Sequence, residues 1–258
     1  MFWFVFCKDD LVVTAAGNIP CGGDCPIRLE PWNTIHRLPM LGGEECRCVS
    51  VDTPVQQGDY RQVSLRSSFD ILTAEEYAMA SKAREIIYWD QTTQYCGICG
   101  SPMKKDSDIS KKCTCCGKQI WPALATAIIV MIRRQYILDD GSTDDEILMV
   151  KAHNFRGNHY GLVAGFVETA ESLEECLHRE VLEEVGIKVS NVKYFGSQPW
   201  PYPSGLMVGF TADYESGELN IQREELADAK WVRRDALPPL PGKVSLARRL
   251  VDSWLERR

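Results

Sequence analysis

The strongest constraint on this chain comes from residues 165–187, GFVETAESLEECLHREVLEEVGI, where glycine, arginine and paired glutamates are set around a helical pattern. Ser172 followed three residues later by Glu175 is a capping box, and the apolar residues after it recur at helical spacing. The pattern therefore predicts a helix that begins near Ser172. Gly186 is typical of the residue that ends a helix, so the helix is expected to end there.

Three carboxylates converge on this predicted helix. Glu180, Glu183 and Glu184 are related by steps of one, three and four residues, which places them within an arc of roughly 100° on its last turns. They repel one another and the negative end of the helix dipole, so stability does not favour them. A solvated acidic face is the plain alternative. The other interpretation is a site for Mg²⁺ or Mn²⁺, which prefer oxygen ligands and would resolve the repulsion.

The neighbouring arginine has two interpretations. Arg179 lies within helical reach of Glu175 and Glu183, where it would hold a carboxylate in its working rotamer. A plain surface ion pair satisfies the same spacing. The sequence leaves both open.

Composition limits the classes of function. With 258 residues, 45% hydrophobic and 25% charged, the chain has room for two domains of ordinary globular composition. A net charge of −7 argues against a protein that works chiefly by gripping nucleic-acid phosphates. The apolar start, MFWFVFCKDD, lacks a basic region and is too short to span a bilayer, so a strand is expected there. Eleven cysteines without a signal peptide indicate a reducing, cytoplasmic setting, with metal binding favoured over disulfides.

Residues 1–92 are expected to form a small β-rich domain that closes with a helix. Short apolar runs broken by glycine and proline occupy the first 70 residues, and Thr73 with Glu76 makes a capping box that opens a helix to about Trp89. Two cysteine pairs in this region have loose spacing, so free thiols are favoured over a second metal site: Cys21 with Cys25, and Cys46 with Cys48.

Residues 93–122 carry a strong zinc-ribbon signal. Two Cys-x₂-Cys-Gly turns present four thiolates that can close a tetrahedral Cys₄ site: Cys96, Cys99, Cys113 and Cys116. Four protein ligands leave no open position, so one structural Zn²⁺ per chain is expected. Cys115 is a spare thiol beside the site, and a disulfide framework is the alternative that the compartment argument disfavours.

Residues 123–258 alternate strand-like runs with two helical stretches. Strands are expected at Ala123–Arg133, at Glu146–Lys151 and at Leu162–Ala164. Four later runs are also expected to be strands: Val192–Tyr194, Leu206–Tyr214, Glu218–Ile221 and Lys230–Val232. A last helix is expected from about Val244 to Glu256. The region should thus be an α/β sandwich with a mixed sheet and a helix on each face.

A run of three prolines and two aromatics, SQPWPYPS at 197–204, begins ten residues after the stretch 165–187. Such a run is stiff and extended, and it can present flat rings and free carbonyls. On composition alone, a rigid surface turn is the favoured interpretation.

The three motifs together resemble the NADH pyrophosphatases of the NudC type, within the Nudix hydrolase superfamily. Residues 165–187 match the Nudix box at every fixed position, the zinc ribbon precedes it, and SQPWPYP resembles the signature SQPWPFP with Tyr202 in place of phenylalanine. The resemblance runs from about Arg66 to the C-terminus and implies the Nudix α/β/α sandwich. Residues 1–60 match poorly.

The resemblance also implies the site residues. Glu180, Glu184 and Glu225 stand at the positions of the catalytic metal ligands, with the Ala164 carbonyl and Glu183 completing the Mg²⁺ or Mn²⁺ site. Trp121 stands where tyrosine is usual and Asp108 where glutamate is usual. The implied contacts to the dinucleotide are Gln198, Pro199, Trp200, Pro201, Tyr202, Pro203, Ser204, Phe166, Trp121, Asp108, Arg66 and Ala247.

The expected activity is hydrolysis of the pyrophosphate bond of NADH, and less well of NAD⁺, to AMP and nicotinamide mononucleotide. The resemblance further implies removal of NAD caps from RNA, a homodimer and no membrane partner. The evident basic patch lies on the ribbon and consists of Lys104, Lys105, Lys111, Lys112 and Lys118. Two alternatives stay open: a Nudix hydrolase for ADP-ribose or another nucleoside diphosphate derivative, and a zinc-ribbon nucleic-acid-binding module with an inactive Nudix domain.

Overall fold

The computed structural model describes residues 1–55, 58–153, 155 and 157–256. It divides into two compact units, and the division does not follow the order of the chain. The first unit holds residues 1–124 together with 200–204, and the second holds 125–199 together with 205–258. The two cysteine turns thus lie in the same unit as the N-terminal sheet.

The first unit is built on a five-stranded sheet made of β1 (Phe2–Cys7), β2 (Asp10–Thr14), β3 (His36–Leu41), β4 (Glu44–Val51) and β5 (Tyr60–Ser64). The order across the sheet is β3-β4-β1-β2-β5, with β1 and β4 parallel and the other neighbours antiparallel. Successive residues of β1 alternate between two core clusters, with Phe4 and Phe6 on one face and Trp3 and Val5 on the other. The apolar N-terminus is a buried strand, as its sequence predicts.

Two helices follow this sheet, α1 (Leu65–Ser68) and α2 (Ala74–Thr92). The capping box of Thr73 and Glu76 is formed in both directions, which satisfies backbone N–H groups at the start of α2. Its buried face, which includes Ala80, Ala83 and Ile86, packs against the cluster that contains Phe4 and Phe6. Burial of each large apolar side chain in such a cluster contributes roughly 2 kcal/mol.

The ribbon consists of three short antiparallel strands, β6 (Met103–Ser107), β7 (Ser110–Cys113) and β8 (Gln119–Ile120). The expected basic patch is smaller than its sequence indicates. Lys111 is only 3% exposed, and its ammonium group pairs with the Asp90 carboxylate at 2.7 Å and donates to the Thr93 carbonyl at 3.2 Å. Lys111 therefore ties the ribbon to the end of α2 and offers nothing to solvent, whereas the other four lysines are exposed.

The second unit contains, in chain order, β9 (Ala125–Ile137), β10 (Thr143–Ala152), β11 (Val163–Phe166), α3 (Leu173–Val185), β12 (Lys188–Pro199), β13 (Gly205–Ser216), β14 (Leu226–Val232) and α4 (Leu246–Leu255). Its sheet has the order β12-β13-β9-β10-β14, and β11 pairs with β9. Only β13 and β9 are parallel among these pairs. This is the expected mixed sheet.

The two helices cover opposite faces of this sheet. In β9, Ile128 and Val130 belong to the cluster under α3, whereas Ile129 and Met131 belong to the cluster under α4. This alternation is the period of two that a strand buried on both faces requires. The expected α/β/α sandwich is confirmed. Across the described residues, no helix is long and apolar enough to cross a membrane.

One expected strand is absent. The segment 218–221 is a loop, although Leu219 and Ile221 alternate with polar residues as in a strand. Their side chains pack against the core under α3, and the backbone N–H of Asn220 donates to the Val185 carbonyl at 3.0 Å. The alternation thus reflects packing against a helix end, not pairing in a sheet. Conversely, β12 extends to Pro199, so the first three residues of the SQPWPYPS run pair with β13.

Candidate active site and metal centre

The helix of the site begins and ends as the sequence predicts. Ser172 accepts the Glu175 N–H at 3.2 Å, and the Glu175 carboxylate accepts the Ser172 N–H at 2.8 Å. Gly186 takes the left-handed conformation at φ 72°, which favours glycine at a helix end. A Cβ at Gly186 would also lie 2.9 Å from the Cβ of Asn220. Both ends of α3 are therefore fixed by local chemistry.

Arg179 holds the acidic groups of the box together. Its Nε and Nη2 atoms donate to the two carboxylate oxygens of Glu171 at 2.7 and 2.9 Å, and its Nη1 donates to Glu180 at 2.9 Å and Glu183 at 3.1 Å. Of its two expected partners, Glu183 is confirmed, whereas Glu175 is wrong because its carboxylate caps the helix. Glu171 was missed: it lies eight residues before Arg179, outside helical spacing, and only its fixed offset in the box marks it.

The electrostatics of Glu171 suit this role. Hydrogen bonds from Arg179, followed by the Glu168 N–H at 3.0 Å, lower the pKa of Glu171 to about 2. Hydrogen bonds to Glu171, Glu180 and Glu183 raise the pKa of Arg179. The pair therefore remains charged at neutral pH, and Arg179 keeps donors directed at Glu180 and Glu183.

Glu180 lies against β11. A Cβ placed on Gly165 would be 1.9 Å from the carboxyl carbon of Glu180, so only glycine leaves room for this carboxylate. Burial raises the pKa of Glu180 above its ordinary value, while the hydrogen bond from Arg179 acts in the opposite direction. Ala164, whose carbonyl is an expected metal ligand, directly precedes this glycine in β11.

The acidic cluster consists of Glu180, Glu183, Glu184 and Glu225. Glu184 is its most deeply buried member and is 5% exposed. Burial, followed by the negative charges of Glu180, Glu225 and Glu183, raises its pKa to about 8. Its Oε2 atom is buried and has no hydrogen-bond partner within the described part of the chain. An unpartnered carboxylate oxygen among like charges is the environment that a hard divalent cation stabilises, so these residues fit Mg²⁺ or Mn²⁺.

Glu225 comes from the loop between β13 and β14, not from the helix. The N–H of Gln222 donates to the Glu184 carbonyl at 2.9 Å, which ties this loop to the end of α3. His153, at the end of β10, donates its backbone N–H to the Glu225 carbonyl at 3.0 Å, and its Nε2 lies 3.0 Å from the Arg223 carbonyl. Sequence reasoning missed His153, and no motif marks it.

The four expected zinc ligands come together in the first unit. The Sγ atoms of Cys96, Cys99, Cys113 and Cys116 all lie within 4.8 Å of one another, with contacts as short as 3.4 and 3.6 Å. A tetrahedral site with Zn–S bonds of about 2.3 Å needs S–S separations of about 3.8 Å, so the cluster fits zinc. A backbone N–H and the hydroxyl of Ser101 lower the pKa of Cys99 to about 6, which favours the thiolate that binds metal. Cys21, Cys25, Cys46 and Cys48, the two loosely spaced pairs of the N-terminal region, are free cysteines.

Residues 200–204, the proline-aromatic segment, belong to the first unit, whereas residues 197–199 of the same run belong to the second. The guanidinium carbon of Arg66 lies 4.5 Å from the centre of the Tyr202 ring and 5.0 Å from that of Trp200, and the two rings meet edge to face at 5.1 Å. The Tyr202 ring packs against the N-terminal core, and its hydroxyl lies 2.9 Å from that of Tyr77. Ser204 donates to the Ala123 carbonyl at 3.1 Å. The segment is thus anchored on one side by Tyr202.

The remaining expected substrate contacts differ in accessibility. Phe166 and Trp121 are exposed, at 66% and 55%. Asp108 pairs with Lys105 at 3.1 Å on the ribbon. Ala247 is buried in α4, and the Gln198 side-chain amide donates to the Val244 carbonyl at 2.5 Å. Within the first unit the structure groups Arg66 with Trp200 and Tyr202. Within the second, the charges of Glu180, Glu183 and Glu225 act on Glu184, and the Glu180 carboxylate lies against Gly165.

The sandwich fold, the box helix and its carboxylates define a Nudix hydrolase. A model of the NUDIX domain matches residues 130–254, and a model described as an NADH pyrophosphatase-like rudimentary NUDIX domain matches residues 2–89. The chain belongs to the NudC family of NADH pyrophosphatases within that superfamily. The N-terminal sheet, which its sequence marks only as β-rich, is therefore itself related to the Nudix domain.

Three relatives show how far the similarity extends, and each is named NAD-capped RNA hydrolase NudC. The protein of Pseudomonas aeruginosa (strain LESB58) is 37% identical over 241 residues, which is 88% of this chain and 82% of that protein. Those of Haemophilus influenzae (39%, 78% and 75%) and Deinococcus radiodurans (34%, 98% and 87%) are comparable. A Nudix hydrolase from Nitrosomonas europaea has the same fold, with a TM-score of 0.51 and 19% identity over 64% of this chain and 92% of that one.

Proposed function

We propose that this enzyme hydrolyses the pyrophosphate bond of NADH, and less well of NAD⁺, to AMP and nicotinamide mononucleotide. The observation that carries the proposal is the cluster of Glu180, Glu183, Glu184 and Glu225, in which a buried carboxylate oxygen of Glu184 has no hydrogen-bond partner among the described residues. The intact box, the zinc-ribbon cysteines and the family membership support it. Stability does not explain such a cluster, because its charges repel.

In this proposal, Glu180, Glu183, Glu184 and Glu225 hold Mg²⁺ or Mn²⁺, with the Ala164 carbonyl as a further ligand. Such a cation lowers the pKa of a bound water and screens charge on the diphosphate. Arg179 orients Glu180 and Glu183 through its hydrogen bonds. Gly165 leaves space for the Glu180 carboxylate, and the loop that carries Glu225 is held by Gln222 and His153.

We assign recognition of the substrate to aromatic rings and to a set of further contacts. Trp200, with Arg66 against its ring, offers an aromatic surface for a base or for nicotinamide. Phe166 offers a second ring, which is exposed. The proposed contacts are completed by Gln198, Pro199, Pro201, Tyr202, Pro203, Ser204, Trp121, Asp108 and Ala247.

A second activity, removal of NAD caps from RNA, follows from the names of the relatives. It breaks the same bond in a larger substrate and uses the same chemistry. The exposed lysines of the ribbon, Lys104, Lys105, Lys112 and Lys118, are the proposed contacts for the RNA phosphates.

We also propose a homodimer, one structural Zn²⁺ per chain, a cytoplasmic location, and a division into domains at residues 1–92, 93–122 and 123–258.

Product identification tests the proposed hydrolase activity. NADH, NAD⁺, ADP-ribose and NAD-capped RNA are compared at equal concentration with Mg²⁺ or Mn²⁺, and Glu184→Gln serves as the inactive control. NADH should give AMP and the reduced mononucleotide fastest among the free nucleotides. Preferential cleavage of ADP-ribose would replace this proposal with the alternative Nudix activity.

A further inference from the structure

The SQPWPYP run differs from the signature SQPWPFP at Tyr202, which carries a hydroxyl group that phenylalanine lacks. In this chain the hydroxyl has a partner, because the oxygen atoms of Tyr202 and Tyr77 are 2.9 Å apart. Tyr77 lies on α2, 125 residues earlier in the sequence. A hydroxyl added at a half-buried position without a partner would carry a desolvation cost, so the pair is a compensated change.

Tyr77 is itself held in place. Its backbone N–H donates to the Thr73 carbonyl at 2.9 Å in the first turn of α2, directly after the capping box. The Phe69 ring meets the Tyr77 ring edge to face at 5.3 Å. Ser81 donates its hydroxyl to the Tyr77 carbonyl at 2.8 Å. The phenol of Tyr77 is therefore a fixed point for a segment that has few backbone hydrogen bonds of its own.

The segment spans only five residues between two strands, Pro199 being the last residue of β12 and Gly205 the first of β13. Three of its residues, Trp200, Pro201 and Tyr202, follow one another without a regular element. The Tyr202 ring is packed on the N-terminal core, and the Trp200 ring lies against its edge. The orientation of Trp200 thus depends on where Tyr202 is held.

We propose that Tyr77 is a positioning residue that holds Tyr202, and through it the Trp200 ring, in the conformation that binds the substrate. This inference rests on the proposed function. The first unit carries no part of the acidic cluster. In this proposal its role is to hold the segment that binds the substrate. Tyr77 lies in the first unit, whereas the proposed metal ligands lie in the second. Its effect should therefore fall on binding and not on the chemical step.

A double-mutant cycle on the full-length enzyme tests the inference: Tyr77→Phe, Tyr202→Phe and the double variant. Each single change should raise the KM for NADH roughly three- to tenfold, the range that one hydrogen bond supplies, with kcat within about twofold. The double variant should be no worse than either single one, because both remove the same contact. The dissociation constant of NADH without added divalent metal, followed by nicotinamide fluorescence, should shift in parallel.

Tyr88→Phe is the matched control, since Tyr88 lies on the same helix with Arg84 over its ring at 5.7 Å. It should leave both constants unchanged. If the wild-type enzyme cleaves NADH but the Tyr77 and Tyr202 variants keep its KM and dissociation constant, the inference is wrong and the proposed function stands. The same holds if they lower only the melting temperature, or if their effects on KM add. A wild-type enzyme that fails to cleave NADH overturns both.

Discussion

The carboxylate of Glu180 occupies the space that a side chain at Gly165 would fill. A Cβ on Gly165 would lie 1.9 Å from the carboxyl carbon of Glu180 and 2.0 and 2.3 Å from its two oxygens. Gly165 does not have a positive φ, so conformational freedom is not the reason for the glycine. The first fixed position of the box is thus explained by the placement of a carboxylate fifteen residues later.

Gly165→Ala should displace the Glu180 carboxylate and lower kcat/KM by about 100-fold, with a loss of stability of about 1–3 kcal/mol. Steady-state kinetics and thermal unfolding measure the two effects. Gly242→Ala is the matched control, because a Cβ at Gly242 meets nothing within 4 Å. Normal kcat/KM in Gly165→Ala would show that the position of Glu180 is unimportant.

Glu184→Gln should abolish turnover, because it removes a charge from the proposed metal site. It should also change the pH dependence of stability. In the folded, metal-free protein the pKa of Glu184 is about 8, above its value in an unfolded chain, so the folded state keeps a proton that the unfolded state has released. Stability therefore falls as pH rises from about 4.5 to 8, by on the order of 5 kcal/mol from this group. Thermal unfolding across this range should show a flatter profile for the variant, and identical profiles would contradict the assignment.

His153→Phe should weaken the metal site without touching a metal ligand. The variant loses the imidazole Nε2–H that donates to the Arg223 carbonyl, so the loop that carries Glu225 is less restrained. The Mn²⁺ dissociation constant, measured directly on the protein, should rise about tenfold. His153→Gln, whose side-chain amide can reach the same carbonyl, should recover most of the affinity. Equal affinity in all three proteins would exclude this role.

Cys99→Ser should release zinc and destabilise the protein, because closed Cys₄ sites contribute folding energy through the metal. Activity should fall only in proportion to the folded fraction. Cys115→Ser is the control, since Cys115 is an exposed thiol outside the cluster and should keep its zinc. Elemental analysis gives the zinc content, and one zinc per chain in Cys99→Ser would refute the four-cysteine site.

Trp200→Ala should raise the KM for NADH by about tenfold with a smaller effect on kcat, which is the loss expected for one stacked ring. This substitution is sharper than one at Tyr202, because the Tyr202 ring also fills the N-terminal core. ADP-ribose lacks nicotinamide. An equal rise in KM for both substrates assigns the ring to adenine or to the shared diphosphate, and a rise for NADH alone assigns it to nicotinamide. No rise for either removes the segment from substrate binding.

The parts of this protein that could be predicted from sequence are those fixed by local signals. The capping boxes at Thr73 and Ser172, the C-cap at Gly186 and the paired cysteine turns act over a few residues, so spacing alone reveals them. The alternation of Leu219 and Ile221 was misleading because a helix end and a strand neighbour impose the same pattern on a short segment.

Contacts between distant residues could not be predicted in this way. Glu171 pairs with Arg179 across a turn, His153 reaches Arg223 over 70 residues and Tyr77 reaches Tyr202 over 125. Burial of Lys111 was equally invisible, since its partner Asp90 lies on another element. The resemblance to a known family supplied Glu225, which no helical spacing relates to the box.

The assignment of residues 200–204 to the N-terminal unit has a consequence for protein engineering. A chimera that takes residues 1–124 from this chain and the remainder from a relative would separate Tyr77 from Tyr202, its hydrogen-bond partner. The exchangeable module is discontinuous: the five residues between β12 and β13 need to travel with the N-terminal half. Recombination libraries with a single crossover near residue 124 would break that module in every member.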